Sequence, residues 1–182
     1  AQEPELTLNS QMNEGELSGR LGLVGWPAVA EEAIIARDIS LAKLLKTRIH
    51  FAHVSTAGSV ELIANAKVQG IKVSAEVTPH HLYFTEDKCE TYDPIFKVNP
   101  PLRNKYDQEA LLTAVINGVI DVIATDHAPH PIESKEGEFA GAAFGMLGLQ
   151  SAASVVAKVL IETNKISWEK FFEIMSINPA KL

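Results

Sequence analysis

The chain has 182 residues, of which 46% are hydrophobic and 21% charged, a composition typical of one globular domain. Its formal charge of -7 comes from 16 Lys and Arg against 23 Asp and Glu, which argues against nucleic-acid binding, because such surfaces neutralise phosphates with cations. A small-molecule or protein partner fits this charge better.

Features that direct a protein to a compartment are missing from the sequence. Its single cysteine, Cys89, cannot form an internal disulfide, so nothing indicates an oxidising environment. The first ten residues do not resemble a signal peptide, and no apolar run approaches the roughly 20 residues that span a bilayer. We therefore expect a cytoplasmic protein without a membrane anchor. The start at Ala1, without Met, indicates a processed or truncated piece.

Hydrophobic periodicity predicts alternating helices and strands after an irregular start. Residues 1–27 contain several Gly and Pro and predict a long loop. Apolar residues at three-to-four spacing then predict an amphipathic helix over 29–46. The later predicted elements are a strand at 48–55, a helix at 59–68 ended by Gly70, a strand at 71–78, a helix at 107–117 closed by Gly118, a strand at 119–125, and helices at 149–163 and 168–176.

This alternation predicts an α/β fold with a parallel sheet, either doubly wound or closed into a barrel. No Gly-x-Gly-x-x-Gly motif follows a predicted strand, so the dinucleotide-binding version has no support. Residues 126–148, here called the long loop, are rich in Gly and have little hydrophobic pattern. Loops of that length in compact domains are usually functional or mobile, so the long loop is a candidate lid.

The histidines give the first indication of chemistry. All six lie between positions 50 and 130, mostly at or just beyond the ends of predicted strands, where parallel β/α folds place their active sites. His53, at the end of its strand, is the histidine we predict to bind a metal; the alternative is a core histidine hydrogen-bonded near Ser55 and Thr56. His80 and His81 follow the next strand and point in different directions. At most one is expected to face the site, and a structural role for both is the alternative.

Asp126 is the strongest local signal, because it emerges where a buried strand meets its loop. A carboxylate there can bind a cation and exchange a proton with a substrate. The alternative is an aspartate that caps the turn. His nitrogen and Asp oxygen are standard zinc ligands, but catalytic zinc needs about three from the protein. His53 and Asp126 supply two. The third lies outside the chain or is one of His80, His81, His127 and His130.

Residues 97–103, here called the proline segment, place Pro100 and Pro101 between Asn99 and Arg103. Such a stiffened loop can hold a polar substrate in register through its amide and guanidinium groups. The alternative is a simple proline-stiffened connector.

These motifs together resemble the bacterial-type amidohydrolase dihydroorotases over nearly the whole chain. The matching segments are 12–15 (Met-Asn-Glu-Gly), 21–23, 53–56, 76–82, 98–103 and 125–130. The resemblance implies a TIM-type (β/α)8 metallo-dependent hydrolase barrel, of which residues 1–182 form a C-terminal part truncated at both ends. It also implies a cytoplasmic enzyme of pyrimidine biosynthesis that interconverts N-carbamoyl-L-aspartate and L-dihydroorotate with one or two zinc ions.

The resemblance also implies roles for individual residues. His53 matches a zinc ligand, and Asp126 matches the zinc ligand that also transfers the proton, which makes it the predicted catalytic residue. The residues that match substrate contacts are Asn99 and His130, with Phe144 and Gly145 on the loop whose backbone closes over the substrate ring.

Several parts of the family pattern are expected upstream of this chain. They are a His-x-His pair, a bridging Lys or Asp, an Arg for the substrate carboxylate, and a further His immediately before Ala1. The isolated piece is therefore expected to be inactive without the N-terminal remainder of the barrel. A homodimer and a complex with aspartate transcarbamoylase are both compatible with the resemblance.

Two other functions remain open at this point. One is a related cyclic amidase, such as an allantoinase or a hydantoinase. The other is an inactive dihydroorotase-like subunit that serves as a scaffold for aspartate transcarbamoylase.

Overall fold

A computed structural model describes residues 2–182 as an arrangement of parallel strands connected by helices. The strands are β1 (Met12–Asn13), β2 (Gly25–Trp26), β3 (Ile49–Phe51), β4 (Val73–Val77) and β5 (Val122–Ile123). The α-helices are α1 (Glu16–Leu21), α2 (Val29–Leu45), α3 (Ala57–Val68), α4 (Pro79–Tyr83), α5 (Lys105–Ile116), α6 (Ala152–Val156) and α7 (Trp168–Phe172). Helices α6 and α7 continue as π-helical turns at Ala157–Ile161 and Glu173–Ile177, and 3-10 turns lie at Pro4–Thr7, Glu86–Thr91, Pro94–Phe96, Ile132–Ser134 and Pro179–Lys181.

All paired strands are parallel. Strands β3, β4 and β5 form one sheet in that order, with Phe51 opposite Ala75 and Val77 opposite Ile123. Strands β1 and β2 form a separate two-stranded pair. Because parallel strands need crossover connections, α3 joins β3 to β4, and α4 and α5 lie between β4 and β5. The carboxyl ends of β3, β4 and β5 consequently meet at one edge.

Helix boundaries follow from local chemistry. Helix α3 begins at Thr56, whose hydroxyl accepts a hydrogen bond from the Ser59 amide, and α5 begins at Asn104, whose side chain accepts one from the Asp107 amide. Each helix is followed by a glycine with positive φ, Gly70 and Gly118, a conformation that other residues rarely adopt. Both predicted stops are confirmed.

The main core lies between the sheet and the helices that cover it. Its buried members include Val54, Ile63, Ala75, Val77, Leu82, Leu111, Val115, Ile123, Leu160 and Ile174. A second, smaller cluster contains Met12, Leu17, Cys89 and Phe139. Phe139 belongs to the long loop, so part of this loop packs against α1 and the turn that holds Cys89.

Three predictions about local structure were wrong in detail. Residues 1–27 are not one loop, because they contain a 3-10 turn, β1, α1 and β2. The three strands predicted at 48–55, 71–78 and 119–125 are all shorter than expected. Helix α4 was missed, although Thr78 caps it and Pro79 occupies its first turn, where a missing N-H costs nothing.

The remaining predicted elements are confirmed. Helix α2 matches the helix predicted at 29–46, and the long loop contains a single 3-10 turn as its regular structure. Within residues 2–182, no helix combines the length and the apolar character needed to cross a bilayer.

Candidate active site

The carboxyl edge of the sheet collects the side chains predicted to carry chemistry. His53 follows β3, His80 lies in α4 just after β4, and Asp126 follows β5. Since β4 lies between its two neighbours, His53 and Asp126 come from strands on either side of it. This is the edge at which parallel β/α folds place their active sites.

His53 and Asp126 share an unusual backbone conformation. Their φ angles are 42° and 46°, in the left-handed region that residues other than glycine rarely adopt. Each such residue costs about 1–3 kcal/mol, and the conformation persists only where surrounding contacts impose it. The two predicted metal ligands therefore both lie at strand ends with a left-handed backbone, which four other non-glycine residues of the range 2–182 also adopt.

A buried carboxylate fixes the turn that carries His53. Glu31 of α2 is 1% exposed, and it accepts hydrogen bonds from the Ser55 amide at 2.9 Å, the Ser55 hydroxyl at 2.6 Å and the Thr56 amide at 3.2 Å. Charge-assisted hydrogen bonds of this kind are about twice as strong as neutral ones. Helix α2 thereby sets the position of the backbone that presents His53.

Arg103 ties the same turn to β1 and β2. Its Nε donates to the Ser55 hydroxyl at 3.2 Å, and its Nη1 donates to the Asn13 side chain at 2.9 Å and to the Trp26 carbonyl at 2.7 Å. Burial lowers the pKa of Arg103, and four nearby carboxylates oppose that shift. At this end of the proline segment the guanidinium therefore supports the fold, and only its buried Nη2 has no partner among residues 2–182.

The structure separates the roles of the two adjacent histidines. His81 is within hydrogen-bond distance of the Thr78 hydroxyl at 2.7 Å and of the Pro100 carbonyl at 3.1 Å, so both of its ring nitrogens have partners. Burial lowers the pKa of His81 to about 3 and keeps the ring neutral. This histidine is structural.

His80 is the functional candidate that sequence reasoning left unassigned. Its Nε2 is buried and has no hydrogen-bond partner in the described part of the chain. Burial first, then His81 and His53, lower the pKa of His80 to about 2, which keeps its imidazole neutral. One sequence signal distinguishes the pair: Thr78 occupies a helix N-cap, and its hydroxyl is spaced to reach His81.

The end of β5 leaves Asp126 unpaired. Its side chain is exposed and accepts no hydrogen bond from residues 2–182, so the alternative role as a turn cap has no support in the structure. The neighbouring His127 instead holds the far end of the long loop, because its Nδ1 accepts hydrogen bonds from the Gly148 and Leu149 amides at 3.1 and 3.2 Å.

The described residues fit part of a metal site. Nδ1 of His53 is buried without a hydrogen-bond partner, and Asp126 offers an unpaired carboxylate. No group of three or more His, Cys, Asp and Glu residues in the range 2–182 is arranged to hold a metal ion. Catalytic zinc needs about three protein ligands, so His53 and Asp126 suit two of them and the rest have to come from elsewhere.

A cavity of about 770 Å³ reaches Thr125, the residue before Asp126, but neither His53 nor Asp126 lines it. Its walls include His80, Thr125, His130, Lys135 and Gly145, which brings two of the predicted substrate contacts, His130 and Gly145, to one space. His130 Nε2 lies 2.7 Å from the Phe144 carbonyl.

The other two predicted substrate contacts lie outside the cavity wall. Asn99 is exposed and precedes a cis peptide bond to Pro100. Phe144 packs edge-on against Trp26, with ring centroids 5.6 Å apart. Asn99 is nevertheless linked to Gly145 through the backbone. The Gly145 amide donates to the Lys97 carbonyl at 2.9 Å, and Lys97 lies just before Asn99 in the chain.

Comparison with known proteins identifies the relatives of this site. No family model matches the chain. It is 56% identical over 182 residues to a dihydroorotase of Leifsonia xyli subsp. xyli and 54% identical to one of Streptomyces coelicolor, and in each case the match covers 100% of this chain and 42% of the relative. The chain is homologous to part of the dihydroorotases. It spans less than half the length of these curated relatives.

A solved structure supports the fold of this dihydroorotase-like chain. The L-hydantoinase (dihydropyrimidinase) of Arthrobacter aurescens superimposes with a TM-score of 0.82 at 34% identity, over 86% of this chain and 36% of the hydantoinase. The predicted fold class, a portion of a TIM-type amidohydrolase barrel, is confirmed by this likeness together with the sequence relatives. Among residues 2–182, the outer edges of β3 and β5 have no partner strand, which agrees with an arrangement in which more strands complete the ring.

Proposed function

We propose that this chain forms a C-terminal part of the catalytic barrel of a zinc-dependent dihydroorotase, which interconverts N-carbamoyl-L-aspartate and L-dihydroorotate in the cytoplasm. The observation that carries the proposal is the placement of His53 and Asp126 just after β3 and β5, at the same edge of the sheet. Both have left-handed backbone, and both have functional groups without protein partners among residues 2–182.

Asp126 is the proposed catalytic residue. When the cyclic amide opens, the bond between the ring nitrogen and the carbonyl carbon breaks, and water adds to that carbon. Asp126 takes the proton from the water and delivers it to the departing nitrogen, and the same transfer in reverse closes the ring. Its exposed carboxylate at the sheet edge, free of any turn-capping bond, is available for this transfer.

His53 and Asp126 are the proposed metal ligands of this chain, and the N-terminal remainder of the barrel supplies the others. A bound zinc ion polarises the substrate carbonyl and lowers the pKa of water to near 7. His130, Asn99 and the backbone at Phe144 and Gly145 are the proposed substrate contacts. The cavity that His130 and Gly145 line supports the assignment of these two residues.

The main competing activity is hydrolysis of hydantoin-like rings, because the L-hydantoinase of Arthrobacter aurescens has the same local fold. The higher identity to dihydroorotases, 56% against 34%, favours dihydroorotate. An inactive scaffold for aspartate transcarbamoylase is disfavoured by the presence of His53 and Asp126. Association with that enzyme and homodimerisation remain compatible with an active barrel.

The test is turnover of dihydroorotate, allantoin and hydantoin by the complete polypeptide, with metal content measured by elemental analysis. We expect turnover of dihydroorotate and bound zinc. Asp126→Asn should lower kcat about a thousandfold, because its amide neither accepts the proton nor carries a charge. Asp87→Asn changes an exposed carboxylate on the turn at Glu86–Thr91 and serves as the matched control.

Activity on hydantoin or allantoin but not on dihydroorotate would overturn the substrate assignment. Full activity of Asp126→Asn would overturn its catalytic role. A polypeptide that binds no zinc and turns over none of the three compounds would favour the scaffold.

A further inference from the structure

Two lysines connect the long loop to the proline segment in opposite directions. Lys135, in the long loop, donates from Nζ to the Pro94 carbonyl at 2.8 Å, the Lys97 carbonyl at 3.2 Å and the Ala143 carbonyl at 2.8 Å. Lys97, in the proline segment, donates from Nζ to the Ala140 carbonyl of the long loop at 2.8 Å. We call this pair the lysine clasp.

The Lys97 half of the clasp is almost completely enclosed. Its side chain is 3% exposed, and its ammonium lies 4.5 Å from the centre of the Phe144 ring and 5.7 Å from that of Phe139. Burial lowers the pKa of Lys97. A cation over two aromatic rings of the long loop is stabilised by their electron-rich faces, more strongly when water is excluded.

The Lys135 half uses the full hydrogen-bonding capacity of an ammonium group. A lysine has three N-H donors, and the three carbonyls take all of them. Lys135 forms no ion pair with any carboxylate of residues 2–182. It lines the cavity, but with its donors committed to main-chain oxygen it has none left for an anionic substrate.

The clasp lies between the groups proposed to contact substrate. The Lys97 carbonyl receives both the Lys135 ammonium and the Gly145 amide, at 3.2 and 2.9 Å. Ala143, held by Lys135, directly precedes Phe144, whose carbonyl lies 2.7 Å from His130. Asn99 lies just after Lys97 in the chain. The ammonium groups therefore set the distance between the two segments that carry these contacts.

We propose that Lys135, with Lys97 opposite, is a positioning residue that holds the backbone at Phe144 and Gly145 against the proline segment, so that both segments meet the substrate together. The substrate role rests on the proposed dihydroorotase function, whereas the structural role of the clasp does not. Loss of the clasp weakens binding of substrate and transition state alike, which raises KM and leaves kcat nearly unchanged.

The test compares Lys135→Met with Lys165→Met in the complete polypeptide. Methionine keeps the length of the side chain without its charge, and Lys165 is an exposed lysine far along the chain from the long loop. Hydrogen-deuterium exchange of a peptide covering residues 139–148 is measured first, because it does not depend on the substrate. We expect exchange about tenfold faster in Lys135→Met and unchanged in Lys165→Met, since charge-assisted hydrogen bonds are lost only in the first.

Kinetics with dihydroorotate then test the functional half. We expect Lys135→Met to raise KM about tenfold while kcat stays within about threefold. Unchanged exchange at residues 139–148 would overturn the clasp whatever the reaction is. Faster exchange with KM within twofold would overturn the positioning role, and a loss confined to kcat would make Lys135 a catalytic residue instead. If Lys135→Met speeds exchange but the unmutated protein does not turn over dihydroorotate, the structural role of the clasp stands and the proposed function is wrong.

Lys135→Arg supplies a second variant if Lys135→Met does not fold. A planar guanidinium keeps the charge but does not match three carbonyls arranged around a single nitrogen. We expect faster exchange at residues 139–148 here too, by a smaller factor, and exchange equal to the unmutated protein would contradict the proposal.

Discussion

The turn after β3, which presents His53, and the long loop after β5, which begins at Asp126, are held by opposite charges. After β3, the buried carboxylate of Glu31 accepts hydrogen bonds from the backbone and the hydroxyl of the turn. In the long loop, the ammonium of Lys135 donates to the Ala143 carbonyl of the same loop and to the Pro94 and Lys97 carbonyls opposite it. In each case one charged side chain organises a backbone that has little regular structure.

The two regions differ in what anchors the charge. Glu31 belongs to α2, the longest helix, which packs on the main core, so the turn that carries His53 moves only if α2 moves. Lys135 belongs to the long loop and holds it to another loop, with Phe139 as its main apolar anchor in the small cluster. We infer that the turn carrying His53 opens only when the whole protein unfolds, whereas the long loop can open locally.

Removal of the Glu31 carboxylate is expected to have the largest effect. Glu31→Ala leaves the amides of Ser55 and Thr56 buried without acceptors, and each unsatisfied group costs about 1–3 kcal/mol, so the free energy of unfolding should fall by about 3 kcal/mol or more. Urea denaturation of the complete polypeptide measures this loss.

Glu32→Ala is the matched control for that experiment. Its side chain lies on the same helix and accepts no hydrogen bond from residues 2–182, so a change within about 0.5 kcal/mol is expected. Equal losses in the two variants would show that the carboxylate does not fix the turn.

Substitution of Gly145 in the long loop is expected to have a smaller effect, confined to substrate binding, and Gly141 in the same loop is the control. Gly145 has φ of 140°, and a Cβ placed there would lie 2.7 Å from the Ala128 side chain and 2.9 Å from His130 Nε2. At Gly141 the nearest atom, the Glu138 carbonyl oxygen, is 3.9 Å away. Gly145→Ala should therefore displace the loop and raise KM about tenfold, whereas Gly141→Ala should change KM less than twofold.

Steady-state kinetics with dihydroorotate decide between these outcomes. Equal KM values for the two variants would mean that the backbone at Gly145 does not contribute to binding. A lower melting temperature in Gly145→Ala alone would place its effect on the fold rather than on the site.

Labelling of Cys89 measures the smallest effect, opening of the long loop. Burial raises the pKa of this thiol to about 12, so it should react with a thiol reagent at pH 8 only when the small cluster opens. Phe139→Ala removes the loop residue that covers this cluster and should speed labelling about tenfold. Leu160→Ala destabilises the main core instead. For the same loss in the free energy of unfolding, it should speed Cys89 labelling less than Phe139→Ala does. Equal acceleration for the same loss would mean that the long loop does not open independently.

Much of the fold could be predicted from the sequence because helix positions depend on local sequence patterns. The apolar periodicity of α2 and the glycines after α3 and α5 predicted helices whose ends agree with the structure. The lengths of the strands were overestimated, since a buried apolar run such as 119–125 does not reveal where hydrogen bonding to the neighbouring strand ends. Helix α4 was missed because Thr78-Pro79 indicates a loop as readily as a capped helix start.

The candidate site was predictable only in part. Position at strand ends pointed to His53 and Asp126, and the strained backbone at both adds support that sequence does not provide. The difference between His80 and His81 depends on a hydrogen bond to the distant Pro100 carbonyl. Glu31 and Lys135 were not identified because a charged residue on a helix or a loop is usually solvated, and only tertiary contacts show that these two are engaged with backbone.

Trp26 joins the two regions compared above. Its carbonyl accepts a hydrogen bond from Arg103, which supports the turn carrying His53, and its indole packs on Phe144 of the long loop. A bulkier side chain in the long loop that displaces Trp26 also moves the carbonyl that holds Arg103. In evolutionary terms, we therefore expect these two otherwise separate stretches of sequence to vary together.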